Sequence, residues 1–310
     1  MHFPVKEGIL LRANKFNKAV DGISFEIQPG ETLGLVGESG CGKSTLGRCI
    51  ARLYEPTSGS IEFEGTDITK LKGKALMPYR QNIQMIFQDP MESLNSRHTV
   101  GDILEEPYIV QKIGDRASRA KRVRELLDIV GLPARSMTRY PFEFSGGQRQ
   151  RIGIARSIAL NPKLVVCDEP VSALDVSIQS QILNLLVDLQ KEFNLAYLFI
   201  AHDLAVVKHI SDRIAIMYLG NIVEESTGES IYHEPRHPYT KSLISAIPVP
   251  DPHLRVKREI ITGDVPSPIN PPTGCRFHPR CPRVMERCKK EAPLLRTIAD
   301  HQVCCHLDDL

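Results

Sequence analysis

Gly37-Glu38-Ser39-Gly40-Cys41-Gly42-Lys43-Ser44-Thr45 is the stretch on which the fold turns. It fits G-x-x-x-x-G-K-[ST], and it stands where such a loop has to stand. Before it, Thr32-Leu33-Gly34-Leu35-Val36-Gly37 is a short apolar run of the kind that forms a buried parallel strand. After it, the pattern from Lys43 to Leu53 suits a helix. Glycines at 37, 40 and 42 let successive backbone N–H groups converge on phosphate oxygens, and the helix N-terminus adds its positive end. Lys43 is then placed to reach the β and γ phosphates of a nucleotide, and the Ser44 hydroxyl to ligate Mg2+. Ser39, Cys41 and Thr45 complete the cradle.

Working outward, Ala19 to Val36 reads as two strands around the turn Gln28-Pro29-Gly30-Glu31, because AVDGISFEI alternates. Ser58 to Ile68 alternates like a hairpin with a Glu-Gly turn. Residues 116 to 130 have helical periodicity, stopped by Gly131-Leu132-Pro133. Beyond position 145 helix and apolar strand alternate: KLVVC, SIQSQILNLLVDLQKEF, LAYLFIA, a short helix, then DRIAIMYLG. That alternation implies a parallel sheet covered by helices. The strand Leu164 to Cys167 runs into Asp168-Glu169, and adjacent carboxylates at the end of a buried strand are costly unless a cation or a catalytic duty holds them. Asp168 is expected to hold Mg2+ through water, and Glu169 to polarise an attacking water. Phe144-Ser145-Gly146-Gly147-Gln148 offers a hydroxyl and free N–H groups at a second helix start, and so a second anion site that one nucleotide cannot also fill.

The 310 residues suffice for one large domain with an appendage. Lys plus Arg number 39 against 37 Asp plus Glu, so the net charge of +2 lacks the broad basic surface of a nucleic-acid binder. No apolar run approaches the roughly 18 residues of a membrane span. The start, MHFPVKEG, lacks the apolar core of a signal peptide, which leads to the expectation of a reducing cytosol. From about Gly228 the chain is rich in proline, and Cys275, Cys281, Cys288, Cys304 and Cys305 cluster there. In a reducing compartment such a cluster points to a metal, and to a staple for a segment poor in core. Tyr232 and Tyr239, among basic residues in that stretch, read as packing anchors rather than an RNA face.

With the phosphate loop, the Ser145 segment and Asp168-Glu169 in this order, the sequence resembles the nucleotide-binding subunits of ABC transporters. The resemblance implies a P-loop NTPase of ABC type: a RecA-like core with an antiparallel β subdomain and a helical subdomain, here with a Cys-rich C-terminal extension. It makes Ser145 to Gln148 the signature motif, which binds the γ-phosphate of ATP held by an opposite subunit in a head-to-tail dimer. It makes Gln88, in IQMIFQDP, the glutamine that senses Mg2+ and water and couples to membrane subunits. Asp175, in Ser172-Ala173-Leu174-Asp175, falls in the D-loop, and His202 becomes the switch histidine on the γ-phosphate. An aromatic near the start stacks on adenine in relatives; this maps to Phe3, with Phe16 as the alternative. Two departures stand out. Phe144 replaces the commoner leucine, and relatives carry an extra strand before the HFPVKEG-like segment, so the start is either shortened or lacks an edge strand.

Within the family, MIFQDPMESLNSRHTVGDIL, HEPRHPYTKSLISAIPVPDP and GDVPSPINPPTGCRFHPRCP are similar to the ATP-binding subunits of oligopeptide and dipeptide importers. The implied division is an ATPase domain over 1–230 and an extension over 231–310. The implied activity is MgATP hydrolysis that energises import of di- and oligopeptides from the cytoplasmic face of the membrane. The implied partners are a second ATPase subunit, two permease subunits and an extracytoplasmic binding protein, with no nucleic acid. Other cargo, such as a nickel complex, remains open. DNA-repair ABC ATPases would place the two anion sites hundreds of residues apart, ribosomal types usually carry two cassettes, and a P-loop kinase leaves Phe144 to Gln148 and His202 unexplained. Cys275, Cys281, Cys288 and Cys305 have the spacing C-x5-C-x6-C-x16-C, with Cys304 as an alternative fourth. Subfamily members with this tail resemble carriers of a [4Fe-4S] cluster; zinc, with His278, His301 and His306 as further ligands, and no metal at all stay open.

Overall fold

The computed structural model describes residues 1–7, 12–247 and 261–307; Pro248, Pro250 and Pro252 of the proline-rich stretch lie outside the described residues. In chain order the strands are β1 (His2–Glu7), β2 (Arg12–Lys18), β3 (Thr32–Val36), β4 (Glu62–Phe63), β5 (Thr66–Asp67), β6 (Ile83–Ile86), β7 (Leu164–Asp168), β8 (Ala196–Ala201), β9 (Arg213–Tyr218), β10 (Asn221–Thr227), β11 (Arg296–Ile298) and β12 (His301–Val303). The helices are α1 (Lys43–Ile50), α2 (Met77–Asn82), α3 (Pro90–Ser93), α4 (Val100–Val110), α5 (Arg116–Ile129), α6 (Gly146–Ile158), α7 (Val176–Phe193), α8 (Leu204–Lys208), α9 (Gly228–His233), α10 (Pro238–Ser245) and α11 (Glu286–Lys290).

One sheet organises the chain, in the order β11-β12-β10-β9-β3-β8-β7-β6. Its centre is parallel: β3 pairs with β8 and β9, and β7 with β8 and β6. Both faces are covered, which is why these strands read as continuous apolar runs. Successive residues go to opposite sides. Val165, Cys167, Tyr197 and Phe199 join the larger cluster under α4 to α7, whereas Leu33, Leu35, Val166, Leu198 and Ile200 join a second cluster with Leu46 of α1 and Ile68. Two small antiparallel pairs, β1 with β2 and β4 with β5, stand apart from it. The β4–β5 turn is the expected Glu-Gly, with both Glu64 and Gly65 at positive φ.

The expected strand in AVDGISFEI does not form a ladder; the strand lies earlier, as β2 against β1. The alternation still has a cause. Ile23, Phe25 and Ile27 pack against the second apolar cluster while Gly22, Ser24 and Glu26 face solvent. Burial of one side produces the same pattern whether or not a neighbour completes the hydrogen bonds.

The tail extends this architecture. Strand β12 pairs antiparallel with β10 and with β11, so residues near the C-terminal end of the chain lengthen the core sheet. Phe277 is 1% exposed and packs its ring against Tyr218, Tyr239 and His237. Tyr239 is thus the packing anchor expected of it. Among the described residues no helix is long and apolar enough to cross a membrane.

Candidate nucleotide site

The parallel strands β3, β6, β7 and β8 deliver the predicted residues to one edge of the sheet. β3 ends in Gly37 to Thr45, β7 ends at Asp168 with Glu169 next, β8 is followed by His202, and β6 by Gln88 two residues on. This is the carboxyl edge, where open α/β sheets bind ligands. Residues far apart in sequence therefore share a cleft of about 470 Å3, lined by Phe3, Ser39, Gly40, Gly42, Lys43, Ser44, Thr45, Gln88, Glu169 and His202.

The loop is tightly specified. Gly42 holds φ at +108°, and a Cβ there would lie 1.9 Å from the Ala19 carbonyl oxygen. A Cβ on Gly37 would lie 2.2 Å from the Met217 carbonyl oxygen. Cys41 is buried beneath the loop, and burial raises its thiol pKa. Lys43, also buried, donates through Nζ to the carbonyls of Gly37 (2.7 Å) and Glu38 (3.1 Å), so its ammonium is held at the loop's centre.

Ser44 Oγ donates to Asp168 Oδ1 at 2.7 Å. Asp168 is 1% exposed and its Oδ2 is buried without a hydrogen-bond partner. Desolvation is the main cause that raises its pKa, and the Ser44 bond and Arg48 pull the other way. A hydroxyl and a carboxylate with an unpartnered oxygen, beside a phosphate loop, form the all-oxygen set that Mg2+ takes. The residues present fit that ion.

Glu169 adopts φ +44°, a left-handed conformation uncommon for a side-chain-bearing residue, with its N–H tied to the Ile200 carbonyl at 2.9 Å. This aims the carboxylate into the cleft. Glu169 Oε2 accepts from Gln88 Nε2 at 3.2 Å and lies 3.1 Å from His202 Nδ1. Gln88 and His202, two of the predicted catalytic residues, thus both contact the third, Glu169.

Phe3 lines the cleft and meets Tyr54 edge to face, with centroids 5.6 Å apart. Phe16, the alternative, is 47% exposed and not part of the lining. Asn17 and Ala19 also line the cleft, and sequence reasoning missed both. Asn17 is the β-ladder partner of Phe3, a signal that exists only once β1 and β2 are paired.

Ser145, Gly146, Gly147 and Gln148 are not in the cleft, nor is Asp175. Ser145 caps α6: its hydroxyl accepts from the Gln148 N–H at 3.3 Å, and Gln148 Oε1 accepts from the Ser145 N–H at 3.0 Å. Asp175 stands at the N-cap of α7 without a side-chain capping bond.

The four tail cysteines are not gathered into a ligand cage, and among the described residues no group of three or more His, Cys, Asp or Glu is arranged to hold a metal ion. The expectation of a ready [4Fe-4S] or zinc site is corrected to that extent. Their thiols do share one neighbourhood. Burial first, and then the neighbouring Cys288, Cys305 and Cys281, together push the Cys275 pKa up to about 12. The Cys275 N–H donates to the Cys288 carbonyl at 2.8 Å. Cys304 faces elsewhere, with Sγ 3.0 Å from the Pro293 carbonyl oxygen.

A phosphate loop, a hydroxyl–carboxylate pair and a glutamate bridged by Gln and His, at the carboxyl edge of a parallel sheet, define a nucleotide-hydrolysing ATPase of the cassette type. The ABC transporter family profile matches residues 20–172, and that of the oligopeptide/dipeptide transporter C-terminal region matches residues 223–288. The chain is 53% identical over 310 residues to the oligopeptide transport ATP-binding protein AppF of Bacillus subtilis (strain 168), covering 99% of this chain and 94% of that protein. It is 55% identical over 294 residues to the putative oligopeptide transport ATP-binding protein YkfD of the same organism, covering 94% and 89%. Among solved structures, a dimeric post-hydrolysis state of the ATP-binding cassette MJ0796 bound to ADP and Pi superimposes with a TM-score of 0.65 at 29% identity, over 73% of this chain and 96% of that one. The chain belongs to the ABC transporter family.

Proposed function

We propose that this chain is the ATP-hydrolysing subunit of an ABC importer and energises uptake of di- and oligopeptides. The observation that carries the reading is the convergence of Lys43, Ser44, Gln88, Glu169 and His202 on one cleft, with Asp168 buried behind it and bonded to Ser44. The loop N–H groups and Lys43 bind and orient the phosphates, and Phe3 supplies a ring for the base. Ser44 and Asp168 would hold Mg2+, with Gln88 at the cleft's edge as a further oxygen donor; the ion, when bound, offsets phosphate charge. Glu169 polarises the attacking water, and Gln88 and His202 hold its carboxylate in place. The test is Glu169→Gln. ATP binding should persist while turnover falls by about 10²- to 10⁴-fold, the share general-base catalysis supplies; hydrolysis at the wild-type rate removes Glu169 from the mechanism.

Gln88 also lines a second groove of about 980 Å3, together with Leu53, Phe87, Glu106 and Val110. Leu53 is 50% and Val110 56% exposed, which suits an apolar docking face for a permease subunit, with Gln88 the link between the two clefts. The placement of Ser145 to Gln148 and Asp175 outside the ATP cleft supports their service to a second ATPase subunit. Two such subunits, two permeases and an extracytoplasmic binding protein make up the importer, with this chain peripheral on the cytoplasmic face. We place its ATPase domain at 1–230 and the extension at 231–310.

A further inference from the structure

Glu38, the second residue of the phosphate loop, is held at three points, two of them by the tail half of the chain. Its carboxylate accepts both terminal N–H groups of Arg280, Nη1 to Oε2 at 2.7 Å and Nη2 to Oε1 at 3.1 Å. Its N–H donates to the Tyr239 hydroxyl oxygen at 3.0 Å, and its carbonyl accepts from Lys43 Nζ at 3.1 Å. The Arg280 side chain is 8% exposed and lies over the Tyr218 ring, 5.9 Å from its centroid. Its backbone is fixed as well: the Arg280 N–H donates to the carbonyl of Phe277, whose ring is buried in the core. A second strap runs alongside, where Arg276 contacts the Leu219 carbonyl and Asp21. Arg280 does not line the nucleotide cleft, so its charge is not spent on substrate.

A two-point guanidinium–carboxylate contact fixes orientation as well as distance, and shielding from water strengthens it. A phosphate loop loses conformational freedom on binding, and a loop held beforehand loses less, which shows as affinity. We propose that Arg280 is a positioning residue for the phosphate cradle: by clamping Glu38 it fixes the loop whose carbonyls tether Lys43. The extension thereby sets the nucleotide affinity of the ATPase. The inference rests on the assignment of Gly37 to Thr45 to the phosphates.

The test uses the full chain, with equilibrium binding of a fluorescent ATP analogue and steady-state ATPase rates. Arg280→Met and Glu38→Gln should each weaken binding about tenfold, equivalent to about 1.4 kcal/mol. The double variant should be little worse than either single one, because both break the same contact. Arg280→Lys should recover part of the loss. In Arg280→Met, which lies outside the cleft, KM should rise while kcat at saturating ATP stays within about twofold, since Glu169 and His202 are untouched. Binding unchanged in both single variants, or losses that multiply in the double variant, overturns the proposal. Glu38→Gln leaves the packing of the tail intact, so it decides the matter should Arg280→Met not fold. Lys43→Ala, run in parallel, separates the two levels. Lost binding there with none lost at Arg280 and Glu38 overturns the clamp alone; retained binding there overturns the phosphate assignment and the clamp with it.

Discussion

Asp168→Asn should stabilise the protein free of Mg2+ and nucleotide, and destabilise it relative to wild type once both are added. The carboxylate is 1% exposed, Oδ1 is satisfied by Ser44, and Oδ2 has no partner. An unsatisfied buried polar group costs about 1–3 kcal/mol, and more when charged. Asparagine keeps the acceptor for Ser44 and leaves a neutral N–H in place of the second oxygen, so a net gain of about 1 kcal/mol is expected. That corresponds to roughly 2–4 °C in a domain of this size class. The pH dependence has a definite sign. Burial raises the Asp168 pKa, so the stability linked to its protonated form is present below the unfolded carboxylate's pKa and is lost as pH rises through the folded value. The advantage of the variant should therefore be full at neutral pH and shrink on acidification. Ligand reverses the order: at about one hundred times Kd, Mg-nucleotide adds about 2.7 kcal/mol to wild type, and little to a variant without the charged ligand. Thermal unfolding of both proteins, with and without Mg-nucleotide, reads all four states. A variant less stable than wild type without ligand, or equally stabilised by ligand, refutes the assignment of Asp168 as a metal ligand kept at a cost to the fold.

Lys43→Ala removes a buried ammonium whose charge-assisted bonds to phosphate are worth about 1.5–3 kcal/mol, so ATP affinity should fall by about 10- to 100-fold; unchanged affinity in a binding titration contradicts the phosphate cradle. Phe277→Ala empties a fully buried ring site between Tyr218, Tyr239 and His237, and should cost about 3–5 kcal/mol in denaturant unfolding; a loss under about 1 kcal/mol would show that the tail does not share the core.

The placement of the candidate site was legible because its residues sit where strands end. The pattern of apolar run, glycine-rich loop and helix places Lys43 and Ser44; an apolar run closing on Asp168-Glu169 places the carboxylates; and a parallel sheet requires both at the same edge. What local pattern cannot convey is which segments pair. The alternation of Ile23, Phe25 and Ile27 has the period of a strand, yet the ladder belongs to Arg12–Lys18, because a ladder needs a neighbour and alternation needs only a buried side. Asn17 enters the site through the same pairing and was invisible for the same reason.

The tail shows this limit most sharply. Proline content and clustered cysteines predict a segment too poor in core to fold alone, and that much is consistent with a chain whose described part holds only short strands, one 3-10 turn and one short helix beyond residue 261. Its attachment, however, is made by β12 on β10, by Phe277 in the core and by Arg280 on Glu38, the last across a separation of 242 residues. No local signal marks a pair so distant. The physical consequence is that the tail and the phosphate loop are not independent: whatever orders the segment from Cys275 to Cys281 also orders Arg280, and Arg280 grips the residue whose carbonyl tethers Lys43. A perturbation of the tail thiols should therefore register first as weakened nucleotide binding, before any loss of the sheet to which the tail is joined.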